Sequence, residues 1–448
     1  MDSVHIELPD EVNRIISVLE TAGFEAYAVG GCVRDSLLGR TPTDWDITTS
    51  ADPTDVQRLF SRTIPTGIEH GTVTVREKGR NFEVTTFRID GKYSDARHPE
   101  SVTFTASLEE DLARRDFTVN AMAYSPGRGL VDLFGGQDDL RNKVIRAVGD
   151  PRQRFGEDAL RMLRALRFAA QLSFDVDEDT ADAVRELCGT LQKISAERIR
   201  TELEKLLLSG HPELLEQAYR LGVTGVILPE FDSCMETPQN NRYHCYNVGI
   251  HTIEAIKAAP AEKVLRLSML LHDIGKPGCR YIDSRGRDRF PGHAEKSVEM
   301  ADAILRRLKY DNDTRRKVTK LVELHDEPLP EGAAGLRVFI HEAGRELFPL
   351  LLEVKRADIM AKNPDMRREK LAVIDRVREK YDRILADGDC LGLDDLCVNG
   401  QDLIALGISP GREIGEILRR MLMEVLNDPS HNNKEFLLNK YAKLQEQG

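Results

Sequence analysis

The sequence lacks several features, and each absence narrows what the chain can be. None of its apolar runs approaches the roughly 18 residues needed to cross a bilayer, so no membrane is expected among its partners. The start, Met1-Asp-Ser-Val-His-Ile-Glu7, is acidic and has no secretory leader pattern. The seven cysteines (32, 188, 234, 245, 279, 390, 397) are odd in number, scattered and without a CxxC pair. That argues against a disulfide framework or a zinc ribbon, and for reduced thiols in the cytoplasm. No internal repeat or low-complexity tract is present. Positive charge is also in deficit: 63 Lys and Arg against 75 Asp and Glu leave a net charge of −12, unlike a general polyanion binder.

What is present suits a globular chain of about three domains at roughly 150 residues each. Hydrophobic residues make up 41% of the 448 and charged residues 31%, enough for sizeable cores. The charge is uneven. Between Arg141 and Arg167, eight Lys/Arg (141, 143, 146, 152, 154, 161, 164, 167) stand against three acids (150, 157, 158). This stretch is either a confined phosphate-facing surface or a solvated helix face.

Residues 1–140 read as mixed α/β. Asp10 to Thr21 has apolar residues at helical spacing (Val12, Ile15, Ile16, Leu19) and stops at Gly23. Short β-type runs follow at Ala26–Val29, Trp45–Thr49, Thr72–Arg76, Phe82–Phe87 and Val102–Thr105. Residues 88–100, charged and containing Gly and Pro, read as a mobile loop. From about 151 the pattern turns helical, with amphipathic stretches predicted at Phe155–Leu172, Ala196–Leu208 and Pro212–Leu221. A polar, proline-containing connector is expected over 229–245. A second helical region covers about 246–387, and a C-terminal piece, about 388–448, ends in two helical stretches.

One ordered set of residues points to phosphate chemistry. Gly30-Gly31 is followed by Arg34-Asp35 and then Asp44-Trp45-Asp46. On a strand, Asp44 and Asp46 share a face with Trp45 on the other. Paired carboxylates can share Mg²⁺ ions, which activate an attacking hydroxyl and steady a leaving pyrophosphate. The glycines follow a strand and open a helix-like segment, where backbone can approach a triphosphate.

The segment YAVGGCVRDSLLGRTPTDWDITTSADP resembles the first signature of class II tRNA nucleotidyltransferases and bacterial poly(A) polymerases, and further matches follow in order along 24–210. Arg114-Arg115-Asp116-Phe117-Thr118-Val119-Asn120-Ala121-Met122-Ala123 resembles the ribose-reading motif, which implies that Arg115 and Asp116 hold the sugar hydroxyls. Asp132-x3-Gly136-x2-Asp139-Leu140 is similar to the hinge between head and neck. Glu157-Asp158-Ala159-Leu160-Arg161 resembles the base-reading motif. Asp158 and Arg161, three apart on a predicted helix, would share a face. A carboxylate can accept from the exocyclic amino group of cytosine or adenine, and a guanidinium can donate to the adjacent ring nitrogen. Uracil and guanine present the reverse pattern. The plain alternative is a surface ion pair. Ser195-Ala196-Glu197-Arg198-Ile199-Arg200-Thr201-Glu202-Leu203 resembles the last neck motif, a supporting element, and NGQDLIALG at 399–407 resembles a tRNA-contacting tail.

The resemblance implies an α+β fold with a mixed-sheet nucleotidyltransferase head (1–140), an all-α neck (141–228), a helical metal-binding domain (229–387) and a helical tail (388–448). The implied partners are tRNA at its acceptor stem and 3′ end, CTP and ATP, with Mg²⁺ in the head. The implied nucleotide contacts are Gly30, Gly31, Arg34, Arg115, Asp116, Asn120, Asp158, Arg161 and Arg164. The implied activity is addition of the 3′-terminal CCA of tRNA. A poly(A) polymerase or an A-only enzyme shares the same head, although the net charge and the lack of a long basic extension weigh against the former.

A second constellation comprises His251, His272-Asp273 and Asp358. It resembles the H…HD…D metal signature of the HD phosphohydrolases, with His293 and His325 where binuclear members carry extra ligands. Imidazole and carboxylate donors suit Ni²⁺, Mn²⁺, Fe²⁺ or Co²⁺, and also zinc. Two readings compete with a working phosphohydrolase domain: a tRNA-contact module without turnover, and, for the whole chain, a hydrolase whose head only senses nucleotides.

Overall fold

A computed structural model describes residues 4–91 and 102–445. The chain forms two compact units, residues 1–229 and residues 230–448.

The first unit is built on a seven-stranded sheet. Its strands come from β1 (Ala26–Val29), β2 (Asp46–Thr49), β3 (Thr63–Gly67), β4 (Thr72–Glu77), β5 (Arg80–Thr86), β8 (Met122–Ser125) and β9 (Gly129–Asp132), in the order β3-β4-β5-β2-β1-β8-β9. A short antiparallel pair, β6 (Arg88–Asp90) with β7 (Val102–Phe104), stands apart from it. The β2–β5 pairing is parallel and the other pairings of the large sheet are antiparallel. The interior strand β1 is buried along its whole length, as an Ala-Tyr-Ala-Val run allows. Helix Asp10–Thr21 seats Val12, Ile15, Ile16 and Leu19 in the core, at the spacing read from the sequence. Strands β3, β8 and β9 were not foreseen. The expected loop at 88–100 falls mostly outside the described residues, and its first residues belong to β6.

The expected single helix over Phe155–Leu172 is two helices, Pro151–Glu157 and Leu160–Leu172. Asp158 lies between them with extended backbone (φ −138°, ψ 103°), and its side chain accepts from the Leu160 N–H at 3.0 Å. Carboxylates favour such cap positions because they satisfy otherwise orphaned N–H groups. Helix Leu160–Leu172 is buried on nearly every side, so it is a central helix rather than an amphipathic surface one.

The second unit is helical. Helices Val248–Ala258, Lys263–Leu271, His293–Arg307, Asn312–Leu324 and Phe348–Met360 pack around one another. The polar connector expected at 229–245 begins instead as helix Pro229–Glu236, with Phe231 and Cys234 buried. Arg337, itself buried, ties the C-terminal region down by donating to the Leu426 and Asn427 carbonyls and pairing with Asp389. Among the described residues, no helix is long and apolar enough to cross a membrane.

Candidate active site and metal centre

Strand order alone gathers the head's functional residues. Val29, at the end of β1, pairs in register with Asp46 on one side and with Ala123 on the other. Gly30-Gly31 therefore starts beside Asp46, and Asn120 stands just before β8. Gly30 has φ +81°, and a Cβ there would meet the Arg115 guanidinium at 3.2 Å. Glycine is needed both for that backbone angle and for that approach.

Asp46 opens β2 and Asp44 precedes it; both are exposed while Trp45 is buried. The alternation matches the expected shared face, though only Asp46 lies in the strand. The sequence reading missed Glu83, the register partner of Asp46 on β5. Asp44, Asp46 and Glu83 line one cavity of about 660 Å³. Although the residue is exposed, partial desolvation of its carboxyl by the surrounding atoms raises the pKa of Asp46; the charges of Glu83 and Asp44 raise it further, and that of Arg115 opposes them. Carboxylates crowded so that one resists ionisation form a donor set suited to a divalent cation.

A hydrogen-bonded relay crosses from the glycine segment to the central helix. Arg34 donates to Asn120 Oδ1 at 2.6 Å, and Asn120 Nδ2 donates to Asp116 Oδ1 at 3.2 Å. Asp116 Oδ2 then accepts two bonds from Arg164, at 2.8 and 2.5 Å. Burial pushes Asp116 up, but the Arg164 guanidinium outweighs it and holds the carboxyl at about 2. The guanidinium carbons of Arg34, Arg164 and Arg167 lie 5.2, 5.3 and 3.7 Å from the Phe168 ring centre. Beyond this relay Arg34 pairs with Asp35 at 2.9 Å and Arg167 with Glu202 at 2.9 Å.

The basic stretch 141–167 is thus divided between buried arginines of the central helix and residues exposed to solvent. Arg141, Arg146, Arg152 and Arg154 are each paired with an acid. The positive charge that collects around Phe168 comes from the central helix and Arg34.

Asp158 and Arg161 do not pair with each other. Asp158 is held by Arg198 at 2.7 Å. Arg161, buried, donates to Glu157 at 2.7 Å and to the Arg154 and Arg114 carbonyls at 3.1 and 2.8 Å. Three bonds thus fix a guanidinium beside the 114–116 segment.

In the second unit, His251, His272, Asp273, His293, His325 and Asp358 come together from five helices and their ends. His251 Nε2 lies 3.1 Å from Asp358 and 3.5 Å from Asp273 Oδ2. His272 Nε2 lies 3.1 Å from Asp273 Oδ2. The other oxygen, Asp273 Oδ1, lies 3.5 Å from His293 and 3.6 Å from His325. Two potential ligand triads, His251/His272/Asp273 and Asp273/His293/His325, therefore share Asp273. Gly275 makes this possible: a Cβ there would come within 2.6 Å of the Ser297 nitrogen and 2.9 Å of the His293 carbonyl. Burial raises the Asp273 carboxyl, yet His272 and Lys276 hold it well below the usual range. The adjoining cavity, about 530 Å³, is also lined by Lys276, Lys362 and Arg289.

Three family models match the chain: the Poly A polymerase head domain over residues 26–146, the probable RNA and SrmB-binding site of polymerase A over 173–235, and tRNA nucleotidyltransferase domain 2 over 293–441. The CCA-adding enzyme of Pediococcus pentosaceus is 33% identical over 444 residues, which cover 97% of this chain and 98% of the relative. That of Streptococcus suis is 34% identical over 96% of both. The chain belongs to the CCA-adding enzyme family. CCA-adding enzymes are metal-dependent nucleotidyltransferases. A stronger local likeness to the Leuconostoc mesenteroides CCA-adding enzyme, 53% over 218 residues, spans about half of each chain (48% and 54%). With the Lactiplantibacillus plantarum and Lactobacillus helveticus enzymes the chain again spans about half the relative's length (49% and 52%). Among solved structures, the Bacillus stearothermophilus CCA-adding enzyme in complex with CTP is similar with a TM-score of 0.72, at 30% identity over 98% of both chains.

Proposed function

We propose that this chain adds and repairs the 3′-terminal CCA of tRNA, using CTP and ATP without a nucleic-acid template. The observation that carries this reading is the meeting, in one unit, of the Asp44/Asp46/Glu83 cavity with the Arg34–Asn120–Asp116–Arg164 relay. One is suited to the reacting phosphate and the other to the sugar and triphosphate. We take 1–140 as head, 141–228 as neck, 229–387 as the metal-binding domain and 388–448 as the tail that meets tRNA. The cytoplasm is the compartment that fits seven free thiols.

In this reading Asp44 and Asp46, with Glu83, would hold Mg²⁺, which when bound supplies charge stabilisation for the attacking hydroxyl and the leaving pyrophosphate. Gly30 and Gly31 keep the backbone open beside those carboxylates. Arg34 and Arg164 bring positive charge toward the triphosphate, and Arg115, Asp116 and Asn120 orient the ribose. Asp158 and Arg161 read the base. The bonds already made by Arg161 keep its rotamer fixed before substrate arrives, which lowers the ordering cost of recognition. Primer extension on tRNA ending at position 73, with CTP alone, ATP alone and both, tests the assignment. Growth by CC with CTP and completion to CCA with both is expected; a poly(A) tail or addition of A alone would replace the reading with one of its alternatives.

A second activity is favoured by the shared-Asp273 cluster. His251, His272, Asp273 and Asp358, with His293 and His325, would hold divalent transition metals such as Ni²⁺, Mn²⁺, Fe²⁺ or Co²⁺. Lys276, Lys362 and Arg289 give the adjoining cavity the charge expected for a phosphate ester.

A further inference from the structure

Asp111 is fully buried, and no motif of the sequence singles it out. It sits in helix Leu108–Ala113 and makes contacts on three sides. Its Oδ1 accepts from Arg114 Nε and Nη2 at 3.0 and 2.7 Å. Its Oδ2 accepts from Arg115 Nη2 at 3.3 Å and from the Thr48 hydroxyl at 3.0 Å. Thr48 is two residues beyond Asp46 on β2, hence on the face that carries Asp44 and Asp46. Burial raises the Asp111 carboxyl, but Arg115 and then Arg114 hold it below the usual range, so the group is an anion locked among cations.

We propose that Asp111 is a positioning residue for nucleotide use, acting through Arg115. The inference rests on the reading of Arg115 as a nucleotide contact. Arg115 passes within 3.2 Å of the point a Gly30 Cβ would occupy, and its charge acts on Asp46. Among the described residues its buried Nε has no hydrogen-bond partner and the side chain is anchored through Nη2 to Asp111, which leaves a donor available. A long arginine that must meet a substrate at a defined place loses little entropy when a buried carboxylate already fixes its end. Asp111 performs that fixing, and through Thr48 it does so from the strand that bears Asp46. Arg115 and the catalytic carboxylates thus share one reference point.

The test uses the full chain with tRNA primers and compares Asp111→Asn, Arg115→Met and the double variant. The readings are KM and kcat for CTP and ATP, incorporation of dCTP, and thermal unfolding. Asp111→Asn is expected to raise KM for both nucleotides and lower kcat/KM roughly ten-fold or more, while narrowing the preference for CTP over dCTP. The double variant should be no worse than Arg115→Met alone, since one residue acts through the other. A folded Asp111→Asn with parental kinetics, or additive losses in the double variant, overturns the inference. Should Asp111→Asn not fold, Thr48→Val removes one bond to Oδ2 and keeps the charge. It should raise KM in the same sense, and unchanged nucleotide kinetics there also overturn the inference. A silent Arg115→Met removes the reading of Arg115 and this inference together. An impaired Arg115→Met beside a silent Asp111→Asn removes the inference alone.

Discussion

Asp46 and Glu83 are register partners across the parallel β2–β5 pair, so two strands each deliver a carboxylate to one cavity. If Asp44, Asp46 and Glu83 together hold the catalytic cation, each matters for both nucleotides. Asp44→Ala and Asp46→Ala should lower single-turnover incorporation of CTP and ATP by roughly a hundred-fold or more. Glu83→Gln should fall between them and the parent. tRNA affinity, measured by filter binding, should stay near the parental value. Near-normal turnover in Asp46→Ala would refute the assignment.

Arg161 offers a second test, because its guanidinium is tied to Glu157 and two carbonyls. Arg161→Ala should reduce use of CTP and ATP and narrow the gap to UTP and GTP by roughly ten- to a hundred-fold, the usual worth of one good base contact. Competition assays with mixed nucleotides read this directly. Unchanged preference at unchanged rates would assign base reading elsewhere.

The Asp116–Arg164 pair should leave a signature in stability. The native Asp116 carboxyl sits at about 2 against an ordinary 3.8. A depressed native value means that the stabilisation is fully present above about pH 4 and is lost as pH falls toward 2. Asp116→Asn should therefore destabilise the first unit by about 2 kcal/mol at pH 7. The difference from the parent should shrink below about pH 4 in urea titrations. A gap independent of pH would mean the pair contributes through packing rather than charge.

In the second unit, the two triads joined by Asp273 predict a stoichiometry. Manganese-loaded protein assayed by elemental analysis should lose part of its metal in His293→Ala or His272→Ala, and essentially all of it in Asp273→Ala. CCA addition should be unaffected, since the two sites are independent. Loaded parent protein should also hydrolyse bis-p-nitrophenyl phosphate, and His272→Ala should not. Metal content unchanged by all three substitutions would rule out this cluster as the site.

Much of this was legible in the chain because spacing and local pattern carry it. Asp10–Thr21 announced its buried face, Ala26–Val29 its strand, and the histidines of the second unit their gathering into candidate ligand triads. What stayed hidden depends on residues far apart in sequence. Glu83 is one acid in an otherwise ordinary strand until β5 pairs with β2, and its only local signal is a carboxylate flanked by Phe82 and Val84. Asp158 looked like a helix residue because its neighbours on both sides are helix formers, and its capping bond to Leu160 overrode that tendency. Asp111 was silent because a buried carboxylate and a solvated one look alike until Arg114, Arg115 and Thr48 close around it. The basic stretch 141–167 divides in the fold: Arg141, Lys143, Arg146 and Arg152 are exposed whereas Arg161 and Arg167 are buried, and the acidic partners that reach as far as Asp177 and Glu186 could not be read from the local pattern.

The relay from Arg34 through Asn120 and Asp116 to Arg164 has a consequence for anyone cutting this gene into pieces. A fragment ending at residue 140 would keep every carboxylate of the cavity and both glycines. It would also strip Asp116 of the guanidinium that neutralises it, and the Arg114 carbonyl of the bond it accepts from Arg161. The sheet and the central helix are therefore one unit of inheritance: neither can be exchanged with a relative's without carrying the other side of that bond.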